Sequence, residues 1–201
     1  MLSLCANASA PEDAATARAL ISSLGRPAPA RTAFAEARFM KVLDKPLVIS
    51  GELAWLGGDR LERTVEHPNH EVSTIGNGEV SQQREGRSPR SFSLKRAPQL
   101  QLLLDSFVAL LGGDASRLDQ AFVVQHSDDG ANHWTLTLTP RDAKLVQTVS
   151  RIDIHGSGNE PHCMLMQEAD GDIAIDLLGA YAARMPAAPT RDALATICKG
   201  G

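Results

Sequence analysis

The chain has 201 residues, with 43% hydrophobic and 22% charged residues and a net charge of −4. That length carries one domain with a real core, with or without tails. The acidic balance, with no run of Lys and Arg, argues against the basic face of a nucleic-acid binder and a polybasic membrane-surface segment. No stretch approaches the roughly 18 to 20 apolar residues that span a bilayer.

The N-terminus, MLSLCANASA, has Ala6-Asn7-Ala8 and Ala8-Ser9-Ala10 in the small-x-small pattern of a secretory cleavage site. It lacks the basic region and long apolar run that precede such a site. Residues 1–8 therefore read as the tail of a trimmed signal peptide; the plainer alternative is an unstructured alanine-rich start. We set residues 1–10 apart from the domain. Cys163 and Cys198 remain if Cys5 is removed with the signal, and an oxidising compartment would let them pair. No C-x-x-C or Cys/His spacing suggests a metal.

Residues 11–24 predict a helix, with acids in its first turn and Ala17, Leu20, Ile21 and Leu24 on one face. Strands begin at Thr32. Apolar residues of both parities around Phe34, Ala35, Ala37 and Phe39 predict a strand covered on both sides. After Asp44-Lys45-Pro46, alternation places Leu47, Ile49, Leu53 and Trp55 on one face. The next strand places Leu61, Arg63 and Val65 together. Two readings of Arg63 stand: an edge residue reaching past the rim, or a polar handle in an apolar groove. Asn77-Gly78 marks a hairpin, and a short strand follows around Phe92 and Leu94.

The period then changes. Residues 98–111, PQLQLLLDSFVALL, predict a helix apolar over more than half its circumference, ended by Gly112-Gly113. Such a surface must pack on something large or close over something. Asp114 caps a second short helix. A hairpin follows, in which Trp134, Leu136 and Leu138 alternate with threonines. Residues 141–147 read as a connection, three more strands run to about residue 178, and an Ala-, Pro- and Arg-rich tail, with room for one loosely attached helical segment, closes the chain. The sum is a mainly β, α+β fold of about 9–11 antiparallel strands, in one domain over residues 11–180 with a tail at 181–201.

Local patterns that suggest catalysis have plainer readings. His67 and His70 lie in a Pro-Asn turn, and His155 and His162 flank another. Asp128-Asp129-Gly130 and Asp170-Gly171-Asp172 lack the later bidentate Glu of a calcium loop. There is no G-x-S-x-G and no glycine-rich phosphate loop. We therefore expect neither an enzyme, nor a cofactor, nor a metal.

The segments FAEARFMKVLDKPLVISGEL (34–53), DRLERTVEHP (59–68), WTLTLTPRD (134–142), RIDIHGSG (151–158) and EADGD (168–172) resemble, in order and spacing, the LolA family of periplasmic lipoprotein carriers, especially its divergent members. The resemblance spans roughly residues 12–178. It implies an unclosed half-barrel with a helical lid over its apolar concave side. It also implies binding of lipoprotein acyl chains or another lipid in the periplasm, taken from an inner-membrane transporter to an outer-membrane receptor. The family's latch, Arg-Pro at the end of the second strand, is replaced by Gly57-Gly58, with Arg60 and Arg63 near enough in sequence to substitute. The expected cavity is lined by Leu47, Ile49, Leu53, Trp55, Leu61, Arg63, Val65, Leu103, Phe107, Leu111, Trp134, Leu136 and Leu138. The alternative is an interaction or sensor module on the same fold, its cavity filled by its own helices.

Overall fold

The structure, a computed structural model, describes residues 10–129 and 132–201. The signal-peptide reading of residues 1–8 lies outside them. Eleven strands form one antiparallel sheet: β1 (Ala30–Phe39), β2 (Leu47–Gly57), β3 (Arg60–His67), β4 (Glu71–Gly76), β5 (Glu79–Arg84), β6 (Arg90–Ser93), β7 (Phe122–Asp128), β8 (His133–Pro140), β9 (Val149–Ser157), β10 (Glu160–Glu168) and β11 (Ile173–Leu178). Their order is β6-β5-β4-β3-β2-β1-β11-β10-β9-β8-β7, so the sheet never closes and β6 and β7 are its edges. Every neighbouring pair but one is consecutive in sequence; β1 and β11 close the middle.

Local chemistry explains the turns. Asn77 (φ 54°) and Gly78 (φ 72°) make the hairpin between β4 and β5, where both central residues need positive φ. Among the described residues the α-helices are α1 (Ala10–Leu24), α2 (Pro98–Leu111), α3 (Ala115–Ala121), α4 (Ala143–Val146) and α5 (Arg191–Cys198). α2 starts with Pro98, whose missing N–H costs nothing in a first turn. Asp114 caps α3 by accepting from the Arg117 N–H. Residues 141–147, expected as a bare connection, include α4, because Asp142 accepts from the N–H groups of Lys144 and Leu145.

Each face of the sheet has its own core. α1 contributes Ala17, Ile21 and Leu24, α2 contributes Leu103, and α3 contributes Leu118 to a cluster with Phe122, Trp134, Leu136, Leu138, Ile152 and Ile154. We call this the inner face. On the outer face, Ala37, Cys163, Ile175 and Leu177 pack with Leu194 and Cys198 of α5. The strand β1 is therefore buried on both sides, through Phe34 inside and Ala35 and Ala37 outside.

The segment after residue 180 reads in the sequence as a tail with at most a loosely attached helix. It is instead a packed layer. A 3-10 segment at Gly179–Arg184 and then α5 lie on the outer face, with Leu194 fully buried. Cys163 and Cys198 form a disulfide with Cα atoms 5.4 Å apart. The composition hid this because only Leu194, Ile197 and Cys198 carry the apolar stripe of a two-turn helix.

Candidate functional site

Antiparallel register sorts the inner face into rows. One row runs Trp55–Leu61–Ile75–Val80–Phe92 across β2 to β6. The next runs Thr32–Leu53–Arg63–Ser73–Gln82. A third runs Phe34–Gly51–Val65–Glu71–Arg84. Glu36 then pairs with Ile49, and Arg38 with Leu47. Leu47, Ile49, Leu53, Trp55, Leu61, Arg63 and Val65 thus share one surface, because period two keeps alternate residues together.

The two halves of this surface differ in cover. On β7 to β10, Trp134, Leu136 and Leu138 are buried beneath the helices, and they are core residues of this packing. On β2 and β3, Ile49, Leu53, Trp55 and Leu61 are only half-buried, and Leu47 is 44% exposed. The helix α2 joins the halves. Leu103 and Phe107 pack into the helix-covered core, while Leu111 is half-buried at the far end of α2. The Trp55 ring lies close to Gly112, 3.9 Å from where a Cβ on that glycine would stand.

The end of α2 is fastened through backbone contacts rather than an arginine side chain. The Arg26 N–H donates to the Leu111 carbonyl at 3.0 Å. A Cβ on Gly113 would stand 3.0 Å from the Ser22 oxygen and 3.2 Å from Gly25 Cα, so glycines let the ends of α1 and α2 touch backbone to backbone. Gly57 (φ 97°) and Gly58 (φ 60°) form the turn after β2, and the Gly58 carbonyl accepts from the Trp55 indole N–H at 3.0 Å. The proposed substitutes for the latch are engaged elsewhere. Arg60 donates to the Leu56 carbonyl at 3.0 Å. Arg63 pairs with Glu36 at 2.6 Å and sits 4.8 Å from the centre of the Phe34 ring. It is neither a rim residue nor a free handle: its charge is matched within the floor.

Glu36 opens a cluster that the sequence reading missed. Glu36 also accepts from Arg38 at 3.2 Å, and Arg38 reaches Glu168 at 3.4 Å. Directly opposite Glu36 on β11 is Asp176. Glu36 is 8% exposed and Asp176 7%. Burial first, then the charge of Glu36, pushes the Asp176 carboxyl up to about 8, against the opposing pull of Arg63 and Arg38. A signal existed: Asp176 interrupts the apolar run IAIDLL, and Glu36 shares parity with Phe34.

Among the described residues the histidine turns hold no cluster, although His162 Nδ1 is buried without a hydrogen-bond partner. His70 Nδ1 lies 3.2 Å from Glu66 on the exposed turn. His155 Nδ1 lies 2.9 Å from Thr135 Oγ1, and the His162 ring stacks on Tyr181 at 4.2 Å. Burial lowers the pKa of both His155 and His162. Among the described residues no group of three or more His, Cys, Asp or Glu side chains is arranged to hold a metal. No helix among them is long and apolar enough to cross a membrane. A groove of about 570 Å3 lies against β2 and β3, lined by Ser50, Glu52, Thr64 and Glu66 together with Ala33, Phe34 and Ala182, and is mixed in character.

The sequence profile of the family described as outer membrane lipoprotein carrier protein LolA-like matches residues 8–201. The chain belongs to this LolA-like family. Solved structures similar to this LolA-like chain include a LolA superfamily protein from Nitrosomonas europaea, with 12% identity and a TM-score of 0.44, covering 83% of this chain and 91% of that one. A DUF1329 family protein from Desulfovibrio piger has 9% identity and a TM-score of 0.43, covering 84% and 92% respectively. No curated protein sequence matches significantly. The unclosed sheet with helices on its inner face is as the resemblance implies.

Proposed function

We propose that this LolA-like protein is a periplasmic carrier that holds an acyl chain between the β1–β6 half of the inner face and α2, for transfer towards the outer membrane. The observation that carries this reading is the half-buried apolar wall Ile49, Leu53, Trp55 and Leu61, beside a sheet half whose Trp134, Leu136, Leu138, Ile152 and Ile154 the helices bury. A fold needing only a core would cover both halves. The ligands read as lipoprotein acyl chains or another lipid. An inner-membrane transporter and an outer-membrane acceptor are the partners this implies. Binding and release, not catalysis, are the activity.

The energetics suit a partial site. Burying one methylene is worth about 0.8 kcal/mol, so a chain of about 16 carbons fully enclosed gains roughly 13 kcal/mol. That would hold cargo too tightly to hand on. A half-open wall gives a fraction of this. Trp55 lies beside Gly112 at the end of α2, and exchanging that packing for contacts with ligand would lower the net gain further. Trp134, Leu136 and Leu138 would meet ligand only if the inner helices lifted.

The test is a titration of delipidated protein with a fluorescent fatty acid and with an acylated peptide. Saturable binding is expected, weakened about 10-fold or more by Leu53→Asn or Leu61→Asn on the open wall, with the fold retained. No saturable binding of either probe refutes the carrier reading. The helix-filled half of the inner face favours a second reading, an interaction module without lipid cargo. Protein exported to a periplasm and found free of lipid by mass spectrometry would favour that one.

A further inference from the structure

The charged cluster at the middle of the inner face contains one carboxyl that accepts no hydrogen bond from the described residues. Glu36 has both carboxylate oxygens engaged, Oε1 by Arg38 and Oε2 by Arg63. Glu168 is engaged by Arg38. Asp176 is 7% exposed, and no donor among the described residues reaches its carboxyl. Its register places it on the inner face, opposite Glu36 on β1 and opposite Met164 on β10. Met164 packs against the helix-covered core, and Ile49, beyond Glu36, belongs to the open wall. Asp176 therefore stands where the covered half meets the open half.

What such a group binds follows from charge. A cationic headgroup would lie beside the guanidinium groups of Arg63 and Arg38, and an anionic one beside Glu36 and Glu168. Either brings an extra charge into a poorly solvated place, at a cost of several kcal/mol. A neutral acceptor brings none. The acceptors of the cluster are already taken by arginines, so the unused capacity is a donor. An ester group offers acceptors and no donor, which matches that vacancy.

We propose that Asp176 donates a hydrogen bond to the ester carbonyl at the polar end of an acylated ligand, setting where the acyl chain stops on the open wall. This rests on the carrier reading above. The protonated carboxyl that the role requires is the form favoured at neutral pH by burial and by Glu36. Asp176 is a specificity residue: it selects the linkage, while the wall binds the chain.

The experiment compares a pyrene-labelled methyl ester with a pyrene-labelled alkane of equal length, at pH 6 and pH 9, on the delipidated full chain. Wild type is expected to prefer the ester about 10-fold at pH 6, the size of one net hydrogen bond, and to lose the preference at pH 9. Asp176→Asn keeps a donor, so its preference persists at both pH values. Asp176→Leu removes the donor and abolishes the preference while alkane binding stays. The charged groups acting on Asp176 are Glu36, Arg63 and Arg38, with Glu168 paired to Arg38, and the Asn variant leaves them in place, so a pH effect that survives in it overturns the assignment. Equal binding of ester and alkane in wild type at pH 6 also overturns it, and leaves the carrier reading standing. Binding of neither ligand overturns both.

Discussion

Replacing both cysteines of the Cys163–Cys198 bridge by alanine tests how firmly the C-terminal layer belongs to the domain. The bridge joins residues 35 apart in sequence. Cross-linking a loop of that length removes chain entropy worth about 4 kcal/mol at 25 °C from the unfolded state. The cavities left by two small side chains add about 1 kcal/mol, since Cys163 and Cys198 are both buried. A loss of about 4 to 5 kcal/mol is a large part of the roughly 5 to 15 kcal/mol that holds a domain together. The assay is urea unfolding of the oxidised wild type and the Cys163→Ala/Cys198→Ala variant, followed by far-UV circular dichroism. The variant midpoint should fall by about 2 M for a slope of about 2 kcal/mol/M. An unchanged midpoint, or two titratable thiols in unreduced protein exported to a periplasm, would refute the reasoning. The outer-face core is separate from the inner one, so acyl-chain binding should survive in the variant wherever it remains folded.

Asp176→Asn should alter the pH dependence of stability. The folded-state pKa of Asp176 is raised from its ordinary 3.8 to about 8, so its contribution is fully present below about pH 4, declines as pH rises, and is gone above about pH 8. Relative to wild type the variant should gain stability steadily, on the order of 1 kcal/mol per pH unit, as pH rises across 5–8 in urea unfolding; parallel curves would contradict this. Gly156→Ala places a Cβ 2.2 Å from Trp134 Cζ2, and the bond from the Trp134 indole N–H to the Gly158 carbonyl, now 2.8 Å, should break. A loss of about 1 to 3 kcal/mol in thermal unfolding is expected, with altered near-UV dichroism. Gly113→Ala combines a φ of 71° with crowding against Ser22 and Gly25, and should loosen the α1–α2 junction. Its readout is greater acrylamide quenching of Trp55 in a Trp134→Phe background, and unchanged quenching would show that these glycines do not hold α2.

Much of the architecture was legible in the chain because its strands alternate cleanly. Leu47 to Trp55, Leu61 to Val65 and Trp134 to Leu138 carry their face in their parity, and Asn77-Gly78 announces its turn. The apolar breadth of residues 98–111 required a large packing partner, and the order of these elements sufficed to place the chain in its family. These are local signals, readable from a few residues at a time. Tertiary structure alone decided which parts of the inner face stay open. Trp134 and Leu53 read alike along the chain, yet one lies beneath the helices and the other beside them. It alone brought Glu36 and Asp176 face to face, 140 residues apart, by pairing the first strand with the last. It also turned an alanine-rich C-terminus into a layer by placing Cys198 against Cys163. Burial, charge pairing and cross-links depend on long-range register, and a linear pattern carries no record of which strands meet.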